Sequence, residues 1–139
     1  MFLLDTNVVS ELRKGRAGTA NPGVVDWAED VPPALLFLSV ISVQELERGV
    51  LLAERRDAAK GAVLRGWLES AVVPAFEGRT LPIDLEVARR AARLNVSNPA
   101  PIHDGLIAAT AIVHGLVIVT RNIRDFQRFE RLEVLNPWT

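Results

Sequence analysis

Residues 102–126, IHDGLIAATAIVHGLVIVTRNIRDF, decide the fold. From 106 to 113 every residue except Thr110 is apolar, the mark of a helix buried on nearly all sides. Ala108, Ala109 and Ala111 leave room for neighbouring elements to come close. His114 and Gly115 close the helix. Glycine is the usual residue just past a helix end, and histidine in the last turn suits the negative end of the dipole. Residues 116–119 form a short apolar, β-branched run, which predicts a strand covered on both faces. Thr120, Arg121 and Asn122 lead out of it, and Asp125 follows. One helix–strand unit therefore carries an acid at the helix start, Asp104, and another just past the strand, Asp125.

The first residues repeat half of this arrangement. Phe2, Leu3 and Leu4 form an apolar run too short for a signal peptide's core, with no basic lead-in. The run stops at Asp5, Thr6 and Asn7, and residues 8–12 continue as a helix. Ligands of an open parallel sheet bind beyond the carboxyl ends of its strands. Asp5 and Asp125 both fall just past such ends, so they are expected to face one site.

Composition narrows the options. The 139 residues suit one domain with a real core. With 49% hydrophobic and 24% charged residues, the balance is that of an ordinary globular chain. No run is long enough to span a bilayer. The absence of cysteine excludes disulfides and thiolate sites and fits a reducing, cytoplasmic setting. A net charge of −1 gives no global field for nucleic acid, although 14 arginines stand against 2 lysines. Arginine suits bidentate phosphate contacts; a compositional bias of the source genome explains the excess equally well.

Between these two units, residues 15–18 read as a loop and 22–30 as a short helix, broken by Pro32 and Pro33. Residues 35–40 are expected to form a second buried strand. Ser42, with Glu45 three residues on, has the pattern of a capping box. The helix from 43 carries Leu46, Val50 and Leu51, with a break at 54–57. A helix over 58–73 would show Ala59, Val63, Trp67 and Ala71 as a stripe. Residues 80–83 read as a strand confined to an edge by Pro82. Residues 85–94 form an amphipathic helix, 97–101 a loop, and Val134 and Leu135 a last strand. Strands alternating with helices predict an α/β domain with a mainly parallel sheet.

Each of four acids has a structural explanation. Asp5 can cap a helix, Glu45 can be the returning arm of the capping box, Asp104 can sit on a helix's positive end, and Asp125 can be a turn residue. Together they form a pattern, because all four fall at strand ends or helix starts. Clustered carboxylates repel one another unless a cation joins them. Hard oxygen ligands suit Mg²⁺ or Mn²⁺. Such an ion activates water and neutralises charge on a phosphate, which points to metal-assisted phosphodiester hydrolysis.

The motifs LLDTN (3–7), SVQEL (42–46), HDGLIAAT (103–110), VTRNIRDF (119–126) and LNPW (135–138) resemble those of PIN-domain ribonucleases. Within that family they are similar to VapC-type toxins of bacterial toxin–antitoxin pairs, particularly the FitB-like group. The resemblance covers essentially the whole chain. It implies one PIN domain over 1–139, a three-layer sandwich with a central mainly parallel sheet flanked by helices. It implies Mg²⁺- or Mn²⁺-dependent RNA cleavage leaving a 5′-phosphate and a 3′-hydroxyl. It also implies a homodimer and an antitoxin partner, with promoter DNA bound only through the toxin–antitoxin complex. Asp5, Glu45, Asp104 and Asp125 match the catalytic, metal-holding quartet. Thr6, Asn7, Thr120 and Asn122 match the polar lining. Some relatives carry a further acid near the position of Asn122, so the resemblance leaves one or two metals open.

Arg121, Arg124, Arg128 and Arg131 form a spaced basic series, with Arg121 and Arg124 the candidates for RNA phosphate. His103 reads as solvated or capping, and Trp27, Trp67 and Trp138 as packing or interface residues. Leu46, Val50, Leu51, Val63 and Trp67 would offer grooves over 43–54 and 58–73 to a second copy and to an antitoxin helix. Two rival readings remain. A phosphoaspartyl enzyme would use Asp5 as nucleophile, but the usual second Asp two residues on is Asn7. A catalytically weak PIN module would mainly bind an antitoxin and, with it, promoter DNA.

Overall fold

The computed structural model describes residues 1–139, apart from the side chain of Arg16. Along the chain run β1 (Phe2–Leu4), α1 (Thr6–Arg13), α2 (Pro22–Asp30), β2 (Leu36–Ser39), α3 (Val40–Arg56), α4 (Ala58–Trp67) and α5 (Val73–Ala75). Then come β3 (Thr80–Leu81), α6 (Leu85–Ser97), α7 (Ile102–His114), β4 (Val117–Val119), α8 (Ile123–Gln127) and β5 (Val134–Leu135). The strands lie in the order β3-β2-β1-β4-β5, and every pairing is parallel. The expected sheet is therefore present, with β3 at an edge as Pro82 requires. No helix is long and apolar enough to cross a membrane.

The pleat divides the core into two layers. Leu4 and Val119 point to one face of the sheet, with Val8, Val24, Leu46, Val50 and Val72. Leu3 and Ile118 point to the other, with Ile107, Ala108, Ala111 and Phe126. This is the side-chain alternation of extended strands. α7 is buried from Gly105 through Ala111 apart from its Leu106 flank, as its near-continuous apolar run demands. Gly115 ends it at φ 67°, the left-handed conformation that glycine adopts without steric cost.

Three local expectations are corrected. α3 starts at Val40, not 43, and its cap is Ser39, whose Oγ accepts the Ile41 N–H at 3.0 Å. The chain leaves β2 at Ser39 with extended backbone, which is where a cap must sit. There is no Ser42–Glu45 capping box: Ser42 is buried within the helix, its hydroxyl without a partner. The second correction is the stripe on α4. Val63 is 69% exposed, and the inward face is Gly61, Leu64, Leu68 and Val72. A Cβ at Gly61 would lie 2.5 Å from the Glu54 Cα, so only a glycine lets α3 and α4 pack this closely there. No apolar side chain marks that contact in the sequence. Beyond Trp67 the chain widens into a π-turn (Leu68–Val72), where the ring of Pro74 would otherwise crowd the carbonyl four residues back. Third, residues 15–18 are no open loop: Lys14–Ala17 is a 3₁₀ turn, closed by Gly18 at φ 70°.

Candidate active site

β1 lies between β2 and β4: the chain lays β2 and β3 on one side of it, then crosses back from β3 to lay β4 and β5 on the other. That is the switch point at which open parallel sheets form a crevice. Asp5 and Thr120 are the first residues beyond the two strands that flank it. The Asp5 N–H still bonds to the Val119 carbonyl at 2.9 Å, and the Thr120 N–H to that of Leu135 at 2.9 Å. The ladder therefore holds both backbones rigidly before either side chain turns into the crevice.

Asp5 uses its two oxygens differently. Oδ1 accepts the Thr6 N–H at 2.8 Å and caps α1. Oδ2 accepts the Thr120 hydroxyl at 2.8 Å and the Asn7 amide at 3.2 Å. One oxygen thus caps the helix while the other faces the crevice side chains, in a carboxylate only 8% exposed. Thr120, fully buried, also accepts the Asn122 N–H at 3.0 Å. Glu45, free of any capping duty, accepts the Thr6 hydroxyl at 2.7 Å. Asp104 lies in the first turn of α7 and Asp125 in the first turn of α8, each at a positive helix end. Asp125 is a helical residue rather than a turn residue.

The acids feel one another. Burial holds the Asp5 carboxyl above the usual range; the charges of Glu45 and Asp125 push the same way, against the lowering hydrogen bonds from Thr120 and Thr6. Burial also raises Asp104, helped by Asp125 and Asp5 and, less, by Glu45, while Arg128 opposes. A cation in the crevice would relieve this repulsion, and the donors are the hard oxygens that Mg²⁺ or Mn²⁺ prefers. Among the described residues no three acidic or histidine side chains already converge as a closed cage. Mg²⁺ does not need one, since it keeps several waters and takes one or two carboxylates.

Asp5, Thr6, Asn7, Asp104, Asn122 and Asp125 line one opening, with Arg121 on its rim. Glu45 and Thr120 stand behind it, joined through the hydrogen bonds above. Arg124, Arg128 and Arg131 are exposed and outside that lining. Arg128 instead donates to the carbonyls of Pro99 and Asp125, each at 3.2 Å. His103 neither caps α7, whose N-cap is Pro101, nor points only to solvent; its Nδ1 is 3.7 Å from Glu45 Oε2. Trp27 packs edge-on against Phe2 at 5.3 Å, as expected of a packing residue.

The sequence pattern did not single out Ser10, Glu11 and Lys14, nor place Trp138 here, yet all four line the opening. For the first three a signal existed, because 7, 10 and 11 share one face of α1 at helical spacing and 14 continues it at the helix end. Trp138 had no local signal, and only its place in the LNPW motif set it apart.

The PIN domain profile matches residues 2–132. The chain is 37% identical to VapC ribonuclease Y4jK of Sinorhizobium fredii, over 99% of this chain and 98% of that protein. It is 38% identical to toxin FitB of Neisseria gonorrhoeae, over 99% of each. The crystal structure of FitAcB from Neisseria gonorrhoeae superposes with a TM-score of 0.87 at 37% identity, over 99% of each chain.

Proposed function

The chain belongs to the PIN-domain family, among the VapC- and FitB-type ribonuclease toxins, and on that premise we propose that its acidic crevice hydrolyses RNA with Mg²⁺ or Mn²⁺. The observation that carries this reading is the placement of Asp5, Asp104 and Asp125 in the wall of one opening at the carboxyl ends of the strands, with Glu45 held behind it by the Thr6 hydroxyl at 2.7 Å. Repelling carboxylates are costly unless a cation offsets them, so the arrangement favours a cation site over a structural one. A bound divalent ion supplies activation of water and neutralisation of charge on phosphate. Asp5 and Asp104 would hold it directly, with Glu45 and Asp125 acting directly or through water. Thr6 holds Glu45, and Thr120 and Asn7 hold Asp5, so both of these carboxylates have their orientation set before metal arrives. Asn122, an amide, contributes a weaker donor, which favours one strongly held ion. The whole of 1–139 acts as one domain, in the cytoplasm.

The test is cleavage of single-stranded RNA by the purified protein. Mg²⁺ or Mn²⁺ should support cutting, with 5′-phosphate and 3′-hydroxyl ends, and a chelator should abolish it; cutting undiminished in chelator would end the proposal. In the same assay Arg121→Ala should flatten the salt dependence of binding by roughly 0.7 of a slope unit, the share of one phosphate contact on a single strand. Arg124, outside the lining, should have a smaller effect. An unchanged slope would remove Arg121 from the RNA path.

The partners we propose are an antitoxin, promoter DNA through the toxin–antitoxin complex, and a second copy of the chain. The expected grooves need revision. Leu46 and Val50 are core residues, at 6% and 2% exposure, and contribute no free surface. Leu51, Val63 and Val73 are exposed, and Val73 lines an apolar depression together with Leu38, Val43, Val72 and Phe76. Light scattering over a dilution series should report a dimer, and a monomer at every concentration would refute self-association.

A further inference from the structure

The site leaves one feature unused. Trp138 comes from the far end of the chain to the wall of the acidic crevice. The Arg121 guanidinium lies 5.7 Å from its ring centroid, a cation–π distance. The Arg121 backbone is in turn tied to the acids: its main-chain N–H donates to Asn7 Oδ1 at 3.4 Å, and the Asn7 amide reaches Asp5 Oδ2 at 3.2 Å. The indole is partly exposed and lines the same opening as Asp5, Asp104 and Asp125.

The tryptophan is also held in place. Asn21 caps α2 by accepting from Gly23 N–H at 3.0 Å, and the same Oδ1 accepts the Thr139 N–H at 3.1 Å. Its amide donates to the Thr139 carbonyl at 3.0 Å, so backbone on one side of Trp138 is gripped in both directions. On the other side the Trp138 N–H donates to Asn136 Oδ1 at 2.9 Å. Gly23 lets this strap lie close: a Cβ there would meet the Pro137 carbonyl at 2.5 Å. Trp138 also packs against the core cluster that holds Leu4, Val24 and Val119, so the anchored strap sets the ring's position between that core and the crevice.

We propose that Trp138, backed by Arg121, is the stacking platform for a nucleobase of the RNA beside the scissile phosphate, with Asn21 as its positioning residue. Every base presents a π-face, and aromatic platforms next to cationic side chains are how single strands are held without hydrogen-bond readout. The acids would draw in a cation and phosphate, and the indole would take the adjoining base, so both halves of one nucleotide are met. This rests on the ribonuclease reading above.

The experiment compares wild type, Trp138→Phe, Trp138→Leu and Asp104→Asn on short RNAs carrying one abasic nucleotide at successive positions around the cut. Wild type should show one position where loss of the base raises KM roughly 5- to 100-fold, the range a stacked base supplies. Trp138→Leu, which keeps apolar bulk, should raise KM similarly on intact RNA and lose the abasic penalty at that position, with kcat nearly unchanged. Trp138→Phe should recover part of both. If Trp138→Leu keeps wild-type KM and the wild-type abasic profile, the platform is refuted while the nuclease reading stands. The platform is equally refuted if Trp138→Leu weakens only antitoxin binding. If Asp104→Asn cuts as well as wild type, or wild type does not cut, the nuclease reading falls and the platform with it. Asn21→Ala should reproduce a weaker form of the Trp138→Leu profile at unchanged kcat, an effect that a merely structural cap would not have.

Discussion

Asp104→Asn should abolish RNA cleavage, by about 100-fold or more, yet leave the metal-free protein as stable as wild type or more so. Loss of outer-sphere partners alone costs metal sites roughly 10- to 100-fold, so removing a proposed direct ligand sets that as a floor. The stability half follows from the sign of the pKa shift. Asp104 and Asp5 are raised in the folded state, so folding disfavours their charged forms. Stability linked to them is fully present below the unfolded carboxylate pKa and is lost as pH rises through their raised folded values. At neutral pH both acids are a burden on the metal-free fold, and the neutral amide removes part of it. With Mn²⁺ the sign reverses: wild type gains stability because the ion binds only the folded state, and the mutant gains far less. Melting curves with and without Mn²⁺, run beside the cleavage assay, read both halves, and Asp5→Asn should share the loss of metal-induced shift. A mutant that melts lower without metal, keeps its metal shift and still cuts RNA would make the cluster structural.

Phe126→Ala should cost about 3–5 kcal/mol, the usual range for emptying a buried phenylalanine site, and lower the melting temperature by about 10 °C or more. Phe126 is 1% exposed and packs with Ile107, Ala108 and Ile118 between the sheet and α7. It is also the anchor of α8, a five-residue helix with no other buried side chain. Its neighbour Asp125 depends on that anchor for its place in the crevice. Cleavage should therefore fall further than the folded fraction accounts for at a temperature where the variant is still folded. Thermal melting with activity per folded molecule checks this; full specific activity in a destabilised variant would show that Asp125 is positioned by something else.

Most of the site was legible because its signals are local in cause. Asp5 and Thr120 follow apolar strand runs, and Asp104 and Asp125 open helices; burial pattern and dipole preference act over a few residues and leave their mark in the sequence. The same logic failed where two local explanations competed. Ser39 and Ser42 both suit a helix cap, and only the end of β2 decided between them. It failed again at Gly61, where α3 and α4 pack closely through the residue with no side chain to mark it.

What the tertiary structure alone decided is which of these pieces face one another. The order β3-β2-β1-β4-β5 puts Thr120 against Asp5 across 115 residues of chain and Glu45 against Thr6 across 39. That order follows from strand pairing and crossover packing, to which no single segment holds the key. The strap that carries Trp138 to the crevice is of the same kind. It depends on Asn21 and Thr139 meeting at a separation of 118 residues, and neither residue's neighbours in sequence foretell it. Local patterning determined where most of the elements and the acids beside them would lie; the sheet order determined that they would share one crevice, because only pairing brings distant strand ends side by side.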